Sequence, residues 1–400
     1  MRRLLPAWPT GGRALDLVNF FVADVQTGFG PFVAVYLTAH KWTQVEIGFA
    51  LTLGTVTSLI SQLPAGALVD AVRSKRGVAS GALIAVIIAA LLLAAMPDRL
   101  PVLVAQMLHG FASCILTPAI AAISLDLAGH AGLGERLGRN ARYASIGNGM
   151  AAAVMGVTGA YFSTRFVFLL TAALCVPALI SLWSVGAGDH ARGRTTGGAM
   201  GVAGLKRLIG DRRLLIFAAC VTLFHLSNAA MLPLAGAAVT MRAGDFANLI
   251  IAACIVVPQL VVALVSPRVG RAAERFGRRR LLLLGWGALP LRGVLLAVLP
   301  GAWPLVAGQA VSGISAAVFG VLLPLVASDL TPGTAHFNLC MGILGLAAYI
   351  GAAISTTLSG GIADAAGMRV AFFVLAGIGL AAFVAVLVAM PETRPARAAE

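Results

Sequence analysis

Few residues in this 400-residue sequence could do acid–base chemistry away from water, and they lie singly inside long apolar stretches. They are Asp24, His109 and His225, and one cationic residue, Arg292, also lies in an apolar stretch. Ionisable groups are costly inside a membrane or an apolar core, so each is a candidate for function. A carboxyl group and an imidazole can both take up and release a proton. We therefore expect Asp24, His109 and His225 to carry exchangeable protons.

Neutral polar residues accompany His109 at helical spacing. Gln106 lies three residues before His109, and Ser113 and Thr117 lie four and eight residues after it. These steps place the four side chains on one face of a helix. Such a face can hydrogen-bond a polar solute while the other faces of the helix pack against neighbours.

A shorter polar pair occurs later in the sequence. His225 and Asn228 are three residues apart and lie on one face of another apolar stretch. We expect one set of side chains to bind a small solute, and its members are Asp24, Gln106, His109, Ser113, Thr117, His225, Asn228 and Gln309.

Arg292 follows Pro290 closely and has no acidic residue near it in sequence. A guanidinium in an apolar helix can extend to the membrane interface or close a hydrogen-bond network between helices. We expect one of these structural roles for Arg292 rather than contact with a solute.

The elements that must position these residues are membrane-spanning helices. Of the 400 residues, 59% are apolar and 11% are charged, against roughly 45–50% and about 25% in soluble domains. Apolar stretches near the ~20 residues that cross a bilayer recur along the chain, and each must be helical because lipid offers no partner for free backbone groups. The predicted spans are 15–38, 44–70, 77–96, 100–127, 138–162, 165–187, 213–239, 246–267, 279–299, 302–329, 337–363 and 369–390.

Placement of the basic residues orients the chain. The formal net charge of +14 could indicate a nucleic-acid partner, but with a cytoplasmic N-terminus 23 of the 29 Lys and Arg fall in the tails and the even-numbered loops. The exceptions are Lys41, Arg99, Arg165, Arg242, Arg369 and, inside a span, Arg292. This bias predicts a multi-pass protein of a bacterial inner membrane with both termini in the cytoplasm. The partner is then the lipid bilayer and not a nucleic acid.

Nothing in the sequence indicates a cofactor or an enzyme. All five cysteines lie within predicted spans without metal-ligand spacing, and we expect neither a metal nor a cofactor. No His-Glu-x-x-His, Gly-x-Ser-x-Gly or phosphate-binding Gly-rich loop is present. A membrane-embedded enzyme, with His109 or His225 as base or metal ligand, is a remote alternative.

The sequence repeats itself at an offset of just over 200 residues. We call residues 66–76 the first signature loop and residues 270–280 the second signature loop. In both loops an acid lies four residues after a glycine and is followed by a basic cluster. Gln106, Gly110 and Asp126 also correspond to Gln309, Gly313 and Asp329 at a constant offset of 203. The predicted domains are residues 1–187, a polar linker at 188–212, and residues 213–400.

The signature loops resemble those of the major facilitator superfamily. The first loop has Ser74 where a second glycine is usual, and the second loop has Glu274 in place of the aspartate and retains Gly277. The resemblance implies an all-α polytopic membrane protein in which two six-helix repeats enclose a central cavity. It also implies that Asp24 and Asn228 face each other across that cavity. The residues it assigns to gating are Gly66, Asp70, Arg73, Lys75, Arg76, Gly270, Glu274, Arg275, Gly277 and Arg278.

These features predict a secondary transporter that uses protons to move a small organic solute, acting as a monomer. The glycine-rich fifth span resembles that of antiporters, which favours export, but it lacks their Gly-Pro pair. Proton-coupled uptake of a metabolite such as a sugar or organic acid is the alternative. A passive channel would leave the repeated halves unexplained.

Overall fold

The computed structural model describes residues 11–27, 29, 31–186, 202–240, 247–299 and 301–394. Regular secondary structure in this part of the chain is entirely α-helical. The helices are α1 Gly11–Thr27, α2 Pro31–Ala39, α3 Gln44–Ala71, α4 Lys75–Ala95, α5 Arg99–Tyr161, α6 Thr164–Ser184, α7 Val202–Ile209, α8 Arg212–Asn228, α9 Met231–Thr240, α10 Ala247–Phe276, α11 Arg278–Val298, α12 Ala302–Leu330, α13 Phe337–Ala366 and α14 Met368–Ala389.

Ten helical segments in the described residues are long and apolar enough to cross a membrane. One of them lies in α5, whose 63 residues form two helices that meet at Gly129 and are long enough together for two crossings of a ~30 Å hydrocarbon layer. The helix is interrupted at Gly129, where φ is 64° and ψ is 176°, a conformation open to glycine but strained for other residues. Together with α1 and α2, which share the first span, these segments account for the twelve predicted spans.

The chain between the predicted spans that end at residue 127 and begin at residue 138 does not form an irregular loop. The chain there remains helical except at Gly129. Leu133, Arg136 and Leu137 favour helix here, although the glycines at 129, 132 and 134 do not.

Two predicted spans are interrupted, which the apolar pattern did not indicate. The first ends as α1 at Thr27 and restarts as α2 at Pro31, and proline cannot donate the backbone hydrogen bond that would continue the first helix. The seventh ends as α8 at Asn228 and restarts as α9 at Met231. Its freed N–H at Ala230 donates to Ser355 Oγ at 3.1 Å, so the interruption leaves this group satisfied.

The chain forms two compact units. Unit 1 comprises residues 1–132 and 143–197, and unit 2 comprises residues 133–142 and 198–400. In unit 1, α4 and α1 pack against α6 around fully buried side chains such as Leu83 and Phe168. In unit 2, α11 packs between α12 and α14, and the indole of Trp286 is fully buried and donates from Nε1 to Cys220 O at 3.1 Å.

Repeat-related glycines allow close helix packing in each unit. In unit 1 a Cβ on Gly110 would lie 2.6 Å from Gly54 O, and in unit 2 a Cβ on Gly313 would lie 2.6 Å from Val261 Cβ. The fourth span therefore contacts the second as closely as the tenth contacts the eighth. Small residues at both positions make this approach possible.

Candidate functional site

In unit 1, His109 lies beside the interruption between α1 and α2. Phe29, in that interruption, stacks on the His109 ring with 4.0 Å between centroids and 6° between planes. His109 Nε2 lies 3.3 Å from Ser113 Oγ, one helical turn further along α5. The sequence-based prediction placed His109 and Ser113 on one face, and the structure brings these two side chains into contact.

Gln106 lies one turn before His109 and is 4% exposed. It packs against Gly54 of α3, and its Nε2 has no hydrogen-bond partner although the atom is buried. Thr117 is exposed, so it does not share this enclosed environment. We call Phe29, Gln106, His109 and Ser113 the His109 cluster.

In unit 2, Arg292 lies beside the interruption between α8 and α9. Its Nη1 donates to Asn228 Oδ1 at 2.6 Å, and its Nη2 donates to Gln309 Oε1 at 3.3 Å. Asn228 is the last residue of α8, and Gln309 is the repeat counterpart of Gln106. These three residues, the Arg292 cluster, close the interhelical hydrogen-bond network that the sequence left as one of two structural alternatives.

His225 lies three residues before Asn228 but has aromatic neighbours. Its ring is edge-on to Phe319 at 4.8 Å between centroids and lies 5.3 Å from that of Phe224. Its Nδ1 lies 3.1 Å from Val221 O of the preceding turn. The arrangement fits a protonated Nδ1 that donates to this carbonyl.

Asp24 lies in α1, but its side chain is outside the described residues. Its predicted role in proton exchange and its predicted position opposite Asn228 therefore remain predictions.

The first signature loop joins α3 to α4. Lys75 Nζ donates to Val72 O at 3.0 Å and also contacts the carbonyl oxygens of Val69 and Asp70, which satisfies the end of α3. Ser74 Oγ accepts from Gly77 N at 3.0 Å and caps α4. Gly66 is buried within α3.

The arginines of the first signature loop differ in exposure. Arg76 donates from Nη1 to Val185 O at 2.5 Å, at the end of α6, and Arg73 is exposed. Asp70 lies in the last turn of α3 and is partly buried.

The second signature loop contains a buried ion cluster. Arg278 Nε donates to Asp329 Oδ2 at 2.8 Å, and Arg278 Nη1 lies 3.2 Å from Glu274 Oε2. The side chains of Arg278 and Asp329 are 2% and 3% exposed. Gly277, with φ of 91°, joins α10 to α11 in the left-handed region that favours glycine.

A segment of α5 packs on α10 within unit 2. Glu274 Oε1 accepts from Gly134 N at 3.2 Å. A Cβ on Gly270 would lie 2.1 Å from Gly134 O, and one on Gly138 would lie 2.6 Å from Ser266 O. Glycines on both helices thus create a contact with no room for side chains.

The C-terminal segment contacts the second signature loop. Glu392 Oε1 accepts from Arg278 N at 2.8 Å, Thr393 Oγ1 donates to Asp329 Oδ2 at 3.2 Å, and Arg394 Nη1 donates to Arg275 O at 3.0 Å. Burial raises the pKa of Glu392, but the backbone N–H groups that its carboxylate accepts outweigh this, and the pKa lies below its usual value.

Phe29, Glu392 and Thr393 were not predicted as site residues from the sequence. Phe29 stands between two glycines without a charged or polar group to single it out, and Glu392 and Thr393 lie in a tail without a recognisable pattern. Asp329 was found only as a repeat counterpart of Asp126, although an acid near the end of an apolar span already indicates a buried partner.

These features define a polytopic membrane transporter built from two related halves. The sequence profile of the Major Facilitator Superfamily matches residues 15–257 and 228–400. The chain belongs to the Major Facilitator Superfamily, and the predicted fold class is confirmed.

Relatives agree with this membership. An uncharacterized MFS-type transporter of Mycobacterium tuberculosis is 36% identical over 393 residues, covering 96% of this chain and 94% of the relative. The tetracycline resistance protein, class B, of Escherichia coli is 30% identical over 138 residues, covering 34% of each chain.

Solved structures share the fold at low identity. The human organic anion transporter MFSD10 superposes with a TM-score of 0.76 at 15% identity, covering 96% of this chain and all of that one. The transporter FucP in the outward conformation superposes with a TM-score of 0.75 at 16% identity, covering 94% and 97%.

Proposed function

We propose that this transporter exports a small organic solute from the cytoplasm in exchange for protons, by alternating access. The observation that carries the proposal is the pairing of an interrupted span with a polar cluster in each unit. In transporters, broken helices at corresponding positions of two repeats are the best structural indication of a binding site. Here the interruptions lie beside His109 in unit 1 and Arg292 in unit 2.

Export is supported by the partial relatives. A multidrug resistance protein B homolog of Mycobacterium tuberculosis is 32% identical over 139 residues, covering 34% of this chain and 25% of the relative. It and the tetracycline resistance protein are named for resistance, which a transporter provides by moving a compound out of the cell. The distribution of basic residues among the loops supports an orientation of the chain with both termini in the cytoplasm.

Proton coupling is supported by the small set of titratable groups in the spans. Asp24, His109 and His225 are the residues we assign to it, because each side chain can bind and release a proton. Solute binding is assigned to the same residues together with Gln106, Ser113, Asn228 and Gln309.

The second signature loop supplies the contacts that alternation would break. Glu274 binds both Gly134 N and Arg278, so this carboxylate connects α10, α11 and α5. A carboxylate at backbone N–H groups and a guanidinium is a strong but reversible contact. We propose that release of this contact accompanies the change of access.

The proposal is tested in everted membrane vesicles from cells that express the chain. The vesicles are acidified inside by respiration, and tetracycline and ethidium are added separately while the internal pH is followed with a fluorescent dye. An exporter takes up at least one compound and discharges the pH gradient, and an uncoupler stops both. Uptake only in right-side-out vesicles would establish the opposite direction, and uptake indifferent to the uncoupler would exclude proton coupling.

A further inference from the structure

Arg292 carries a positive charge in the interior of unit 2 without a negative partner. Its side chain is 2% exposed, and among the described residues it forms no ion pair. Both of its hydrogen-bond acceptors, Asn228 Oδ1 and Gln309 Oε1, are neutral amide oxygens. Arginine remains protonated in proteins, so this charge persists.

Two hydrogen-bond donors in the cluster are also unused. Arg292 Nε and Gln309 Nε2 are buried, and neither atom has a hydrogen-bond partner in the part of the chain that the structure describes. A buried polar group without a partner costs about 1–3 kcal/mol, and more if it is charged. The Arg292 cluster therefore has two donors and one charge in excess of its acceptors.

The second signature loop provides a contrast within the same unit. Arg278 is equally buried, but two carboxylates, Asp329 and Glu274, lie within 3.2 Å of its guanidinium. Arg278 thus has two anionic partners, whereas Arg292 has none among the residues that the structure describes.

We propose that the Arg292 cluster binds the carboxylate of an organic solute. A carboxylate supplies the negative charge and the two acceptor oxygens that Arg292 Nε and Gln309 Nε2 lack, and guanidinium groups bind carboxylates through such paired donors. The cluster is closed to solvent in this conformation, so the solute enters when the surrounding helices separate. The inference rests on the proposed transport function and names its substrate class as organic anions.

Binding is tested on the purified protein without any gradient. Thermal unfolding is measured with a series of carboxylic acids of increasing size, each compared with its uncharged primary amide, beginning with benzoate and benzamide. We expect acids, but not their amides, to raise the melting temperature, because a ligand that binds only the folded state stabilises it. Arg292→Gln should lower the affinity for the stabilising acids by at least about thirtyfold. Arg369 is an exposed arginine of the same unit, and Arg369→Gln should leave this affinity unchanged. Stabilisation by amides alone, by none of the acids, or equally in Arg292→Gln overturns the proposal.

A second variant keeps the test decisive if Arg292→Gln does not fold. Gln309→Glu places a carboxylate beside the guanidinium at nearly constant shape, so it should raise the melting temperature of the unliganded protein and abolish stabilisation by the acids. The matched control is Gln106→Glu, at the repeat counterpart, where no guanidinium is in contact with the amide and the buried charge should destabilise. A Gln309→Glu protein that still responds to the acids as the parent does would contradict a carboxylate site at this cluster.

The outcome is independent of proton-coupled export. Acids that stabilise the parent through Arg292 establish the anion site even if everted vesicles show no proton exchange. Proton-coupled export of tetracycline or ethidium, with no acid effect on stability, would retain the proposed function and reject the anion site.

Discussion

Arg278 Nε lies 2.8 Å from Asp329 Oδ2, and this ion pair between the second signature loop and the end of α12 is almost completely buried. Thr393 Oγ1 reaches the same carboxylate oxygen at 3.2 Å, which joins the C-terminal segment to the pair. Removing one partner of a buried ion pair is strongly destabilising, so each member of this network depends on the others.

We expect Asp329→Asn to lower thermal stability markedly. Removing the carboxylate leaves the buried guanidinium of Arg278 with Glu274 as its remaining acidic partner, and breaking a buried pair in this way costs about 3–5 kcal/mol. The measurement is the melting temperature of the purified protein. Asp364→Asn, at an exposed position of α13, is the control and should melt with the parent. Equal melting temperatures of Asp329→Asn and the parent would show that the ion pair contributes nothing to stability.

Gly270→Ala should destabilise the protein through the contact between α10 and α5. The added methyl would lie 2.1 Å from Gly134 O, so the two helices must separate, and overpacking of this kind costs about 1–3 kcal/mol. Gly320→Ala is the matched control, because a Cβ at this position meets no atom within 4 Å. Alanine also has a higher helix propensity than glycine. The two variants should shift the melting temperature in opposite directions. A stabilised Gly270→Ala protein would contradict the close approach.

The spans were predictable from sequence because the bilayer imposes both length and helical structure. Predicted and observed ends agree closely for α3, α4, α11 and α14. Gly28, Gly30 and Pro31 favour a break after Thr27, whereas nothing at Ala229 and Ala230 marks the one after Asn228.

The members of the clusters were predictable, but their contacts were not. Spacing along one helix correctly brought His109 and Ser113 together, since both residues lie on α5. The Arg292 cluster joins residues of α8, α11 and α12, and no local pattern determines which side chains of separate helices meet. Arg292 was therefore expected to be structural, although its unpartnered donors favour a binding role.

The contribution of Glu392 to stability should depend on pH. Its folded-state pKa is depressed from the ordinary value of 4.5, so the stabilisation is fully present above that value and is lost as the pH falls through the lower folded-state pKa. We expect Glu392→Gln to melt below the parent at pH 7 and the difference to shrink below about pH 4.5. Melting curves from pH 7 to pH 3 measure it, with the exposed Glu135→Gln as control. A difference that stays constant or grows towards acid pH would exclude this linkage.

Two substitutions separate the packing of His109 from its polar role. His109→Phe keeps an aromatic ring to stack on Phe29 but loses the nitrogen near Ser113, whereas His109→Ala loses both contacts. We expect His109→Phe to retain the parent's melting temperature and lose solute transport in everted vesicles. His109→Ala should lose transport and also melt lower, since removing an aromatic pair costs about 0.5–1.5 kcal/mol beyond the buried area. Normal transport by His109→Phe would assign His109 to packing.

Asp24→Asn should separate solute binding from proton coupling. Asparagine has nearly the shape of aspartate but cannot release a proton, so a coupling carboxyl is fixed in a neutral form. We expect the variant to bind solute, measured by thermal stabilisation, and to exchange it across vesicles that contain solute on both sides. Accumulation driven by a pH gradient should be lost, because no proton crosses with the solute.

Asp16→Asn, eight residues earlier in α1, is the control for a general effect of removing an acid from this helix. An Asp24→Asn protein that still concentrates solute with the parent's dependence on the gradient would show that Asp24 is not the coupling acid.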